Sequence, residues 1–425
     1  MPKKTTKKVP EGEFDILGAA KEIEIKGLRN WLKCELTRAF TEARKNKTTT
    51  FNEHQYEISW PDNILRLTEA ILDRTYRPSA SISFVIFDPM VREIFAAPFN
   101  DRVIHHFLNH LQGGWWDRRL INSSYSCRVG KGTYYGIQHV QKMMMQVSNN
   151  FSEDAYYAKL DIQGYFMSLP RQRLYERVKW GLKRQFGPYM HIPEVRQIYQ
   201  ICDFLWRRIL MDDPVKRSRK RGPVGNWNAL PPEKSLYTRD PGLGIVIGNY
   251  TSQLVSNVYL DQFDRYVMHE LGYKYYGRYV DDFIILVKKS ELPQLKEDIK
   301  KMERFLKVQL KLTLHPRKRS IQPITNGIPF LGARIYPHCL YPSDRFQAKF
   351  KRLLAKVKSG EARTESIISY FGYLMNLDSY NYVKRLFKKY DLDFRLYQEF
   401  ISPKRRRPVP EIIAELRKSH WQGEA

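Results

Sequence analysis

The sequence predicts a mixed α+β fold, in which long helical regions accompany a small antiparallel sheet. Apolar residues recur at helical spacing over residues 13–80 and again from residue 343 onward. Between these regions, short runs of β-branched and aromatic residues are separated by turn residues, a pattern typical of strands and hairpins. With 425 residues, 42% of them hydrophobic and 13% aromatic, the chain can hold two or three subdomains around a sizeable core.

The charge balance indicates a polyanionic partner. Lys and Arg number 72 against 45 Asp and Glu, which gives a formal net charge of +27. Because these cations are spread along the chain, nucleic acid is favoured over an anionic membrane surface. No run of about 18 apolar residues occurs, so we expect no transmembrane helix and no membrane partner.

The N-terminus and the cysteines favour a cytoplasmic location. The opening Met-Pro-Lys-Lys-Thr-Thr-Lys-Lys has no apolar segment behind it, so we expect no signal peptide, and residues 1–12 are predicted to form a basic flexible tail. The four cysteines lack the paired spacing of a zinc site or a disulfide framework, which fits a reducing compartment.

Helices and two strands are predicted in the N-terminal region. Residues 28–43 and 60–76 carry apolar side chains at helical spacing, and the second helix is expected to end before Arg77-Pro78. Residues 82–86 and 94–95 are predicted strands on either side of an Asp88-Pro89 turn, with Arg92 between them. A further helix is predicted over residues 101–112.

The middle of the chain opens with a strand over residues 156–162 that leads into a helix near Leu169-Pro170. Residues 174–206 are predicted to be helical in at least two pieces. Residues 211–240 are rich in proline and cations, and they indicate an inserted loop that either lies over nucleic acid or is simply a solvated charged loop.

The second half alternates short strands with helices. A glycine-punctuated strand or turn is predicted at 244–253, and helices at 254–271 and 292–310. Strand-like stretches follow at 312–316 and 320–322, and residues 330–336 are predicted as one further hairpin strand. From residue 343 onward the pattern is helical and basic.

Two adjacent carboxylates stand at the tip of a predicted hairpin. Tyr279-Val280-Asp281-Asp282 lies between two apolar runs within residues 274–288. Taken alone, Asp-Asp is a common turn pair. Neighbouring carboxylates repel each other, however, and a site that keeps them together usually holds a divalent cation.

A third carboxylate completes a candidate metal set. Asp161 ends the predicted strand at 156–162. Nucleotidyl transfer by two metals requires carboxylates on neighbouring strands that bridge two cations about 3.5–4 Å apart. A strand with one acid and a hairpin with two can supply them on one sheet, so the ordered set predicts such a site.

The ordered motifs resemble those of reverse transcriptases. Tyr279-Val280-Asp281-Asp282 is preceded by an Asp-x-x-x-Tyr-Phe segment at 161–166 and followed by Leu-Thr-Leu-His-Pro-x-Lys at 312–318 and Phe-Leu-Gly at 330–332. The resemblance runs from about residue 87 to residue 336, more than half of the chain. It implies an RNA-directed DNA polymerase.

The resemblance also implies a right-hand polymerase fold. The N-terminal helical region and fingers would span residues 13–155, and the palm with its antiparallel sheet would span 156–340, including the basic insertion at about 211–240. The helical basic thumb would span 341–425 and would contain Lys404-Arg405-Arg406-Arg407.

Metal ligands follow from the same resemblance. Asp161 and Asp281 correspond to the principal ligands, Asp282 to the supporting carboxylate, and Ile162 to a residue that contributes its backbone oxygen. Two Mg²⁺ ions are the implied cofactors, because hard oxygen ligands suit them, and Mn²⁺ is a possible substitute.

Nucleotide-binding residues are implied at five positions. Phe166 corresponds to the steric gate against a 2′-hydroxyl, although a plain core aromatic is the alternative. Arg92 corresponds to the arginine that holds the incoming triphosphate, a role that suits its planar charged fork. Lys318 corresponds to a lysine that protonates pyrophosphate, or it is a surface cation. Ile247 and Gln253 complete the set.

Template and primer contacts are implied at two further motifs. The Arg128 to Lys131 stretch resembles the second fingers motif, which contacts the template backbone. Phe330-Leu331-Gly332 resembles the primer-grip hairpin.

One segment is similar to the reverse transcriptases of diversity-generating retroelements. Most bacterial relatives have Pro-Gln-Gly where this chain has Val246-Ile247-Gly248, and Ser252-Gln253 follows. The stretch from Trp227 to residue 236 resembles longer, Bacteroides-like members, and Val246 is a departure because that group usually has Pro there. Ile247 cannot make the hydrogen bond of the usual Gln, and the loss of a contact of roughly 1–3 kcal/mol relaxes selection by about ten- to a hundredfold.

The resemblance therefore implies error-prone cDNA synthesis from a template-repeat RNA, with misincorporation at template adenines. The implied partners are template RNA, cDNA, dNTPs and a small basic pentameric accessory variability protein, in a bacterial or phage-encoded cytoplasmic system. A retron, intron-derived or phage-defence reverse transcriptase is the alternative within the class. A non-catalytic RNA-binding assembly factor is the alternative outside it, although a binder has no need of three acids that repel RNA.

Overall fold

The computed structural model describes residues 12–45, 51–87, 90–402 and 407–418. The fold is mixed α+β, with 59% helix and 13% strand among these residues. Three predicted features lie outside the described residues: all but the last residue of the N-terminal tail, the Asp88-Pro89 turn, and Lys404-Arg405-Arg406.

Helices supply most of the chain. The helices before the hairpin are α1 (Ile16–Lys26), α2 (Leu28–Arg44), α3 (Phe51–Ile58), α4 (Trp60–Leu72), α5 (Phe99–Asp117), α6 (Thr133–Val147), α7 (Tyr165–Ser168), α8 (Arg171–Phe186), α9 (Pro193–Met211), α10 (Val224–Asn228) and α11 (Tyr250–Arg265). Those after it are α12 (Leu292–Phe305), α13 (Asp344–Lys358), α14 (Thr364–Leu374), α15 (Tyr380–Tyr390), α16 (Phe394–Ile401) and α17 (Val409–Leu416).

Ten strands form three sheets in the described residues. The strands are β1 (Ile82–Ile86), β2 (Arg92–Ala96), β3 (Ala155–Ile162), β4 (Arg219–Lys220), β5 (Tyr276–Tyr279), β6 (Asp282–Lys288), β7 (Leu314–Pro323), β8 (Ile328–Phe330), β9 (Ala333–Ile335) and β10 (Leu340–Pro342). The sheet orders are β2-β1-β4, β5-β6-β3-β7 and β10-β9-β8.

The chain divides into two compact units. The first comprises Met1–Cys127, Asp161–Tyr273 and Asp298–Arg317, and the second comprises Arg128–Leu160, Lys274–Glu297 and Lys318–Ala425.

The first unit is a helical assembly with one small sheet. Helix α2 packs against α5, and α8 packs against α9. Large aromatic side chains such as Trp31, Trp116 and Trp206 are fully buried and fill its interior. In the sheet, β1 pairs antiparallel with β2 and parallel with β4.

The second unit contains the hairpin β5-β6, the β8-β9-β10 sheet and a helical end. Helix α6 packs on β6. Five buried strand residues in a row, from Phe283 to Val287, explain why β6 is continuously apolar: it is an interior strand of its sheet. Helices α13–α17 share a separate aromatic core around Phe350, Phe371 and Phe387.

Most predicted elements are confirmed, and several boundaries are corrected. The predicted helix 60–76 ends at Leu72, because Arg74 adopts a φ of +59° and the backbone N–H groups of Thr75 and Tyr76 turn back to the oxygen of Ala70. Arg92 is the first residue of β2 and not part of the connection between strands.

Three further corrections concern strands. The two stretches predicted at 312–316 and 320–322 are one strand, β7. The predicted single strand at 330–336 is a hairpin, β8-β9, whose turn at Leu331 and Gly332 has φ values of +52° and +90°. Of the strand or turn predicted at 244–253, residues 244–249 are a turn without strand pairing, and the helix predicted from residue 254 starts at Tyr250.

The predicted loop at 211–240 contains regular structure. Strand β4 extends the β1-β2 sheet, α10 follows it, and Leu236 is buried.

Among the described residues, no helix is long and apolar enough to cross a bilayer.

Candidate active site

The paired carboxylates lie at the tip of a tight hairpin. Tyr279 pairs with Asp282, so Val280 and Asp281 form a two-residue loop. Both Asp281 and Asp282 are partly exposed, whereas the strand behind them is buried. The hairpin thus carries two acidic side chains at the end of an apolar strand.

The loop residue Val280 is held in an unusual conformation. Its φ of +58° lies in the left-handed region, which is a genuine outlier for a β-branched residue and costs on the order of 1–3 kcal/mol. Arg278, which is fully buried, donates from Nη1 to the Val280 carbonyl oxygen at 2.8 Å. A hydrogen bond from a charged donor contributes about 1.5–3 kcal/mol, enough to offset the conformational cost.

A lysine on strand β3 reaches the hairpin. Lys159 Nζ lies 3.1 Å from Asp282 Oδ2, with the two side chains 28% and 24% exposed. The same ammonium lies 6.0 Å from the centre of the Phe330 ring. The ion pair neutralises one of the two adjacent acids.

Asp161 occupies the same strand as Lys159. The burial pattern of β3 alternates from residue 158 onward, with Leu160 and Ile162 fully buried and Lys159 and Asp161 partly exposed. Because side chains two residues apart on a strand point to the same face, Asp161 projects on the face of Lys159. Strand β6, which begins at Asp282, is the neighbour of β3 in the sheet order.

The candidate ligands carry the oxygens that suit a hard divalent cation. Asp281 and Asp282 supply carboxylates at the hairpin of the second unit, and Asp161 and Ile162 supply a carboxylate and a backbone oxygen at the end of β3, in the first unit. Such oxygens are the ligands that Mg²⁺ prefers. In the described part of the chain, no three His, Cys, Asp or Glu side chains are already gathered for a metal ion. A cation on Asp282 Oδ2 would compete with Lys159 for that oxygen.

In the first unit, backbone hydrogen bonds join residues 244–248 to two elements: helix α7 with the residue that follows it, and strand β2. Gly244 and Ile245 donate to the oxygens of Leu169 and Phe166 at 2.8 and 2.9 Å. On the other side, Phe95 N–H donates to the Ile247 oxygen at 2.9 Å. The structure therefore brings Phe166, Ile247 and strand β2 together.

Glycine is required within this segment. Gly248 has a φ of +129°, and a Cβ there would lie 2.6 Å from the Phe95 oxygen. Gly244 has a φ of +79°, and a Cβ there would lie 2.3 Å from Leu236. These glycines let the backbone approach both neighbours closely.

Ile247 itself packs on an apolar cluster. The cluster consists of Phe95, Met167, Leu236 and Val246, and the partly buried Ile247 lies against it. The Ile247 side chain has no polar atom, so it offers no hydrogen-bonding group at this position.

The remaining nucleotide-site candidates are more dispersed. Arg92 is exposed at the start of β2, three residues before Phe95. Gln253 is exposed in the first turn of α11, and its backbone oxygen accepts from Ser256 Oγ at 2.9 Å. Lys318 is exposed on β7.

Two buried titratable groups lie in the first unit, and one of them, His105, contacts the start of α11. Thr251 Oγ1 lies 2.9 Å from His105 Nδ1, and burial lowers the pKa of His105 to about 3. Asp101 accepts from Tyr76 and from the Ser79 N–H at 2.9 and 2.7 Å, yet burial raises the pKa of its carboxyl to about 6.

The template and primer candidates lie in the second unit. Lys131 Nζ lies 3.1 Å from the Tyr135 hydroxyl and over that ring, and Arg128 is partly exposed before it. Phe330 is buried, and the Tyr373 hydroxyl donates to the Leu331 oxygen at 2.9 Å. Gly332 is confined, because a Cβ would lie 2.9 Å from the same hydroxyl.

Sequence reasoning did not single out two side chains that organise the hairpin. Lys159 precedes Asp161 by two positions on β3, so the twofold repeat of strands puts both side chains on one face and could have identified Lys159. Arg278 donates to a backbone oxygen of the hairpin loop, a contact that no periodic pattern signals.

No protein-family model matches this chain, and no curated protein matches it significantly. The geometry of the site therefore carries the functional argument.

Proposed function

We propose that this protein is an RNA-directed DNA polymerase that uses two metal ions. The observation that carries the proposal is the sheet order β5-β6-β3, in which the hairpin with Asp281 and Asp282 adjoins the strand that holds Asp161. Three carboxylates from neighbouring strands are the arrangement that two-metal nucleotidyl transfer requires.

Asp161, Asp281, Asp282 and the Ile162 backbone oxygen would hold the two Mg²⁺ ions. When bound, the ions supply activation of the attacking hydroxyl and charge stabilisation at the triphosphate and the leaving group. The buried strand β6 and the bond from Arg278 to Val280 fix the hairpin acids, and such preorganisation is what catalysis by charge stabilisation needs.

The first-unit residues would select the nucleotide. The backbone oxygen of Phe166 accepts a hydrogen bond from the Ile245 N–H. The Phe166 ring would lie against a 2′-hydroxyl and favour deoxynucleotides. Arg92, exposed on β2, would hold the triphosphate with its planar fork. Ile247 would offer only an apolar contact to the nascent base pair.

The fold elements take roles under this proposal. The β5-β6-β3-β7 sheet serves as the palm, the β2-β1-β4 sheet as part of the fingers and helices α13–α17 as the thumb of a right-hand polymerase. Template RNA, cDNA and dNTPs are the partners that the net charge of +27 supports.

Within this class we propose a reverse transcriptase of a diversity-generating retroelement. Its support is the Ile247-Gly248 and Ser252-Gln253 pattern and the apolar packing of Ile247. The enzyme would make error-prone cDNA from a template-repeat RNA in the cytoplasm, together with a small basic pentameric accessory protein.

Primer extension on an RNA template tests the proposal. The purified chain with a DNA primer, dNTPs and Mg²⁺ should extend the primer, and Asp281→Asn should abolish extension. Asp154→Asn is the matched control, because Asp154 is an exposed acid of the same unit that pairs with Lys289. Extension by the Asp281→Asn variant, or none by the wild type with or without an accessory protein, would overturn the proposal.

A further inference from the structure

The two faces of the β2-β1-β4 sheet differ sharply. Directly paired residues share a face, so the register puts Ser83, Val85, Glu93 and Phe95 together on a buried face. The opposite face is only partly buried, and its residues on β1 and β2 are Ile82, Phe84, Ile86, Arg92, Ile94 and Ala96.

Strand β4 joins the same sheet and adds cations to its partly exposed face. Ile82 pairs with Arg219 and Ser83 with Lys220, so Arg219 shares the face of Ile82. Arg221 N–H donates to the Ser83 oxygen at 2.8 Å, which continues the register and puts Arg221 level with Phe84. The partly exposed face is therefore apolar and aromatic, with Arg92 at one edge and Arg219 and Arg221 at the other.

The buried face fixes this arrangement. Glu93 accepts from Ser235 Oγ and the Leu236 N–H at 3.0 and 2.7 Å. Lys220, on the Glu93 side, lies 4.1 Å from the centre of the Tyr237 ring and 4.8 Å from that of Trp227. These contacts hold β4 in place and leave Arg219 and Arg221 on the other face.

Charge makes the partly exposed face suitable for a polyanion. Residues 214–232 contain five cations and no acidic residue. Within the described chain, Arg217 lies 3.9 Å from Asp212, whereas Arg219 and Arg221 are exposed and form no ion pair. Two permanently charged side chains are thus presented beside an apolar surface.

We propose that this face binds an unpaired nucleic-acid strand, with Arg219 and Arg221 on its phosphates and the apolar face against its bases. Surfaces for single strands combine backbone-tracking cations with apolar or aromatic platforms on which bases stack. From Ile82 to Ile86 the strand rises roughly 13 Å, which is room for about two nucleotides. The occupant as template RNA rests on the proposed function, but the binding surface does not.

The test measures the affinity of the full chain for a labelled oligouridine strand across a range of salt concentrations. Arg219→Gln with Arg221→Gln should lower the log–log salt slope by about 1.4, since each phosphate contact of a single strand contributes about 0.7. Affinity near 0.1 M salt should fall on the order of tenfold. Arg219→Lys with Arg221→Lys should keep the wild-type slope.

Lys21→Gln with Lys33→Gln is the matched control, because both lysines are exposed on helices of the same unit and two charges are again removed. An equal change in this control, or an unchanged slope in the Arg219 and Arg221 double variant, would overturn the proposal. So would an equal loss on a blunt RNA–DNA duplex, whose bases are not available to the sheet.

The outcome is separable from that of the polymerase. If the wild type makes no cDNA but the salt slope is lower in the Arg219 and Arg221 double variant, only the proposed function is contradicted. If the wild type makes cDNA but the double variant keeps the wild-type salt slope, only this binding surface is contradicted.

Discussion

The buried guanidinium of Arg278 donates a hydrogen bond of 2.8 Å to the carbonyl oxygen of Val280, the loop residue directly before Asp281. A β-branched residue at a φ of +58° is costly, and the hairpin keeps it where a conformationally free glycine would be easier to place. The position of the paired acids thus depends on the hydrogen bond between Arg278 and Val280, which come just before them in the chain.

Replacing Arg278 should loosen the hairpin tip. We predict that Arg278→Lys lowers the rate of nucleotide incorporation by about 10–100-fold, the range for lost support of a metal ligand, because Lys cannot reproduce the planar fork. The measurement is single-nucleotide incorporation on an RNA template. In a Val280→Gly background, where the strain is absent, the same change should cost less, and equal costs in both backgrounds would argue against this coupling.

Removing the Lys159 ammonium should make the acids more available to metal. A partly exposed ion pair contributes about 0.2–1 kcal/mol, so Lys159→Met should lower the Mg²⁺ concentration for half-maximal extension by up to about fivefold. A magnesium titration measures it. Lys288→Met is the control, because Lys288 forms an ion pair with Glu153, an acid of the same unit that is distant in sequence. A midpoint shared by all three proteins would refute competition at Asp282.

The apolar side chain at position 247 should set the error rate. Ile247→Gln restores a hydrogen-bonding group, so misincorporation should fall by about tenfold or more. The Ile247 backbone bond to Phe95 involves no side-chain atom, so the segment should keep its place. Deep sequencing of the cDNA measures the error spectrum, and Ile247→Val is the control that should leave it unchanged. Identical spectra for the Gln and Val variants would contradict the account.

Acid should destabilise the first unit through His105. Burial lowers the pKa of His105 from 6.5 to about 3, so between these values the unfolded chain binds a proton that the folded chain does not. Stability contributed by this group falls as pH falls, by about 1.4 kcal/mol per unit. As pH falls from 6.5 to 4.5, the unfolding free energy of the wild type should therefore decrease relative to that of His105→Gln.

Asp101 acts in the opposite direction and supplies the control. Burial raises the pKa of Asp101 from 3.8 to about 6, so the folded chain binds the extra proton there and this contribution falls as pH rises. Urea unfolding of Asp101→Asn should thus show the reverse trend over pH 4–6. A His105→Gln difference that does not vary with pH would contradict the buried neutral imidazole.

Local patterns were enough to predict the hairpin and most helices. Strand β6 is a continuous apolar run that follows the polar hairpin tip, and helix α2 carries apolar residues at helical spacing. Asp161 was placed at the end of its strand for the same reason.

Elements that depend on distant partners could not be predicted. Strand β4 is two residues long and exists through parallel pairing with β1, more than 130 residues earlier in the chain. The backbone hydrogen bond between Phe95 and Ile247 likewise joins two segments that no local sequence pattern connects. The Lys159–Asp282 ion pair required knowledge of which strands are neighbours.

The central claim is that Asp161, Asp281 and Asp282 work as one metal-dependent site, and the rate of single-nucleotide incorporation on an RNA template tests it most directly. We predict that Asp161→Asn, Asp281→Asn and their double variant lose activity to the same background, because groups that act as a unit show non-additive losses. The exposed Asp154→Asn variant should retain the wild-type rate. Substantial incorporation by Asp161→Asn, or a double variant whose loss is the product of the two single losses, would contradict a shared site.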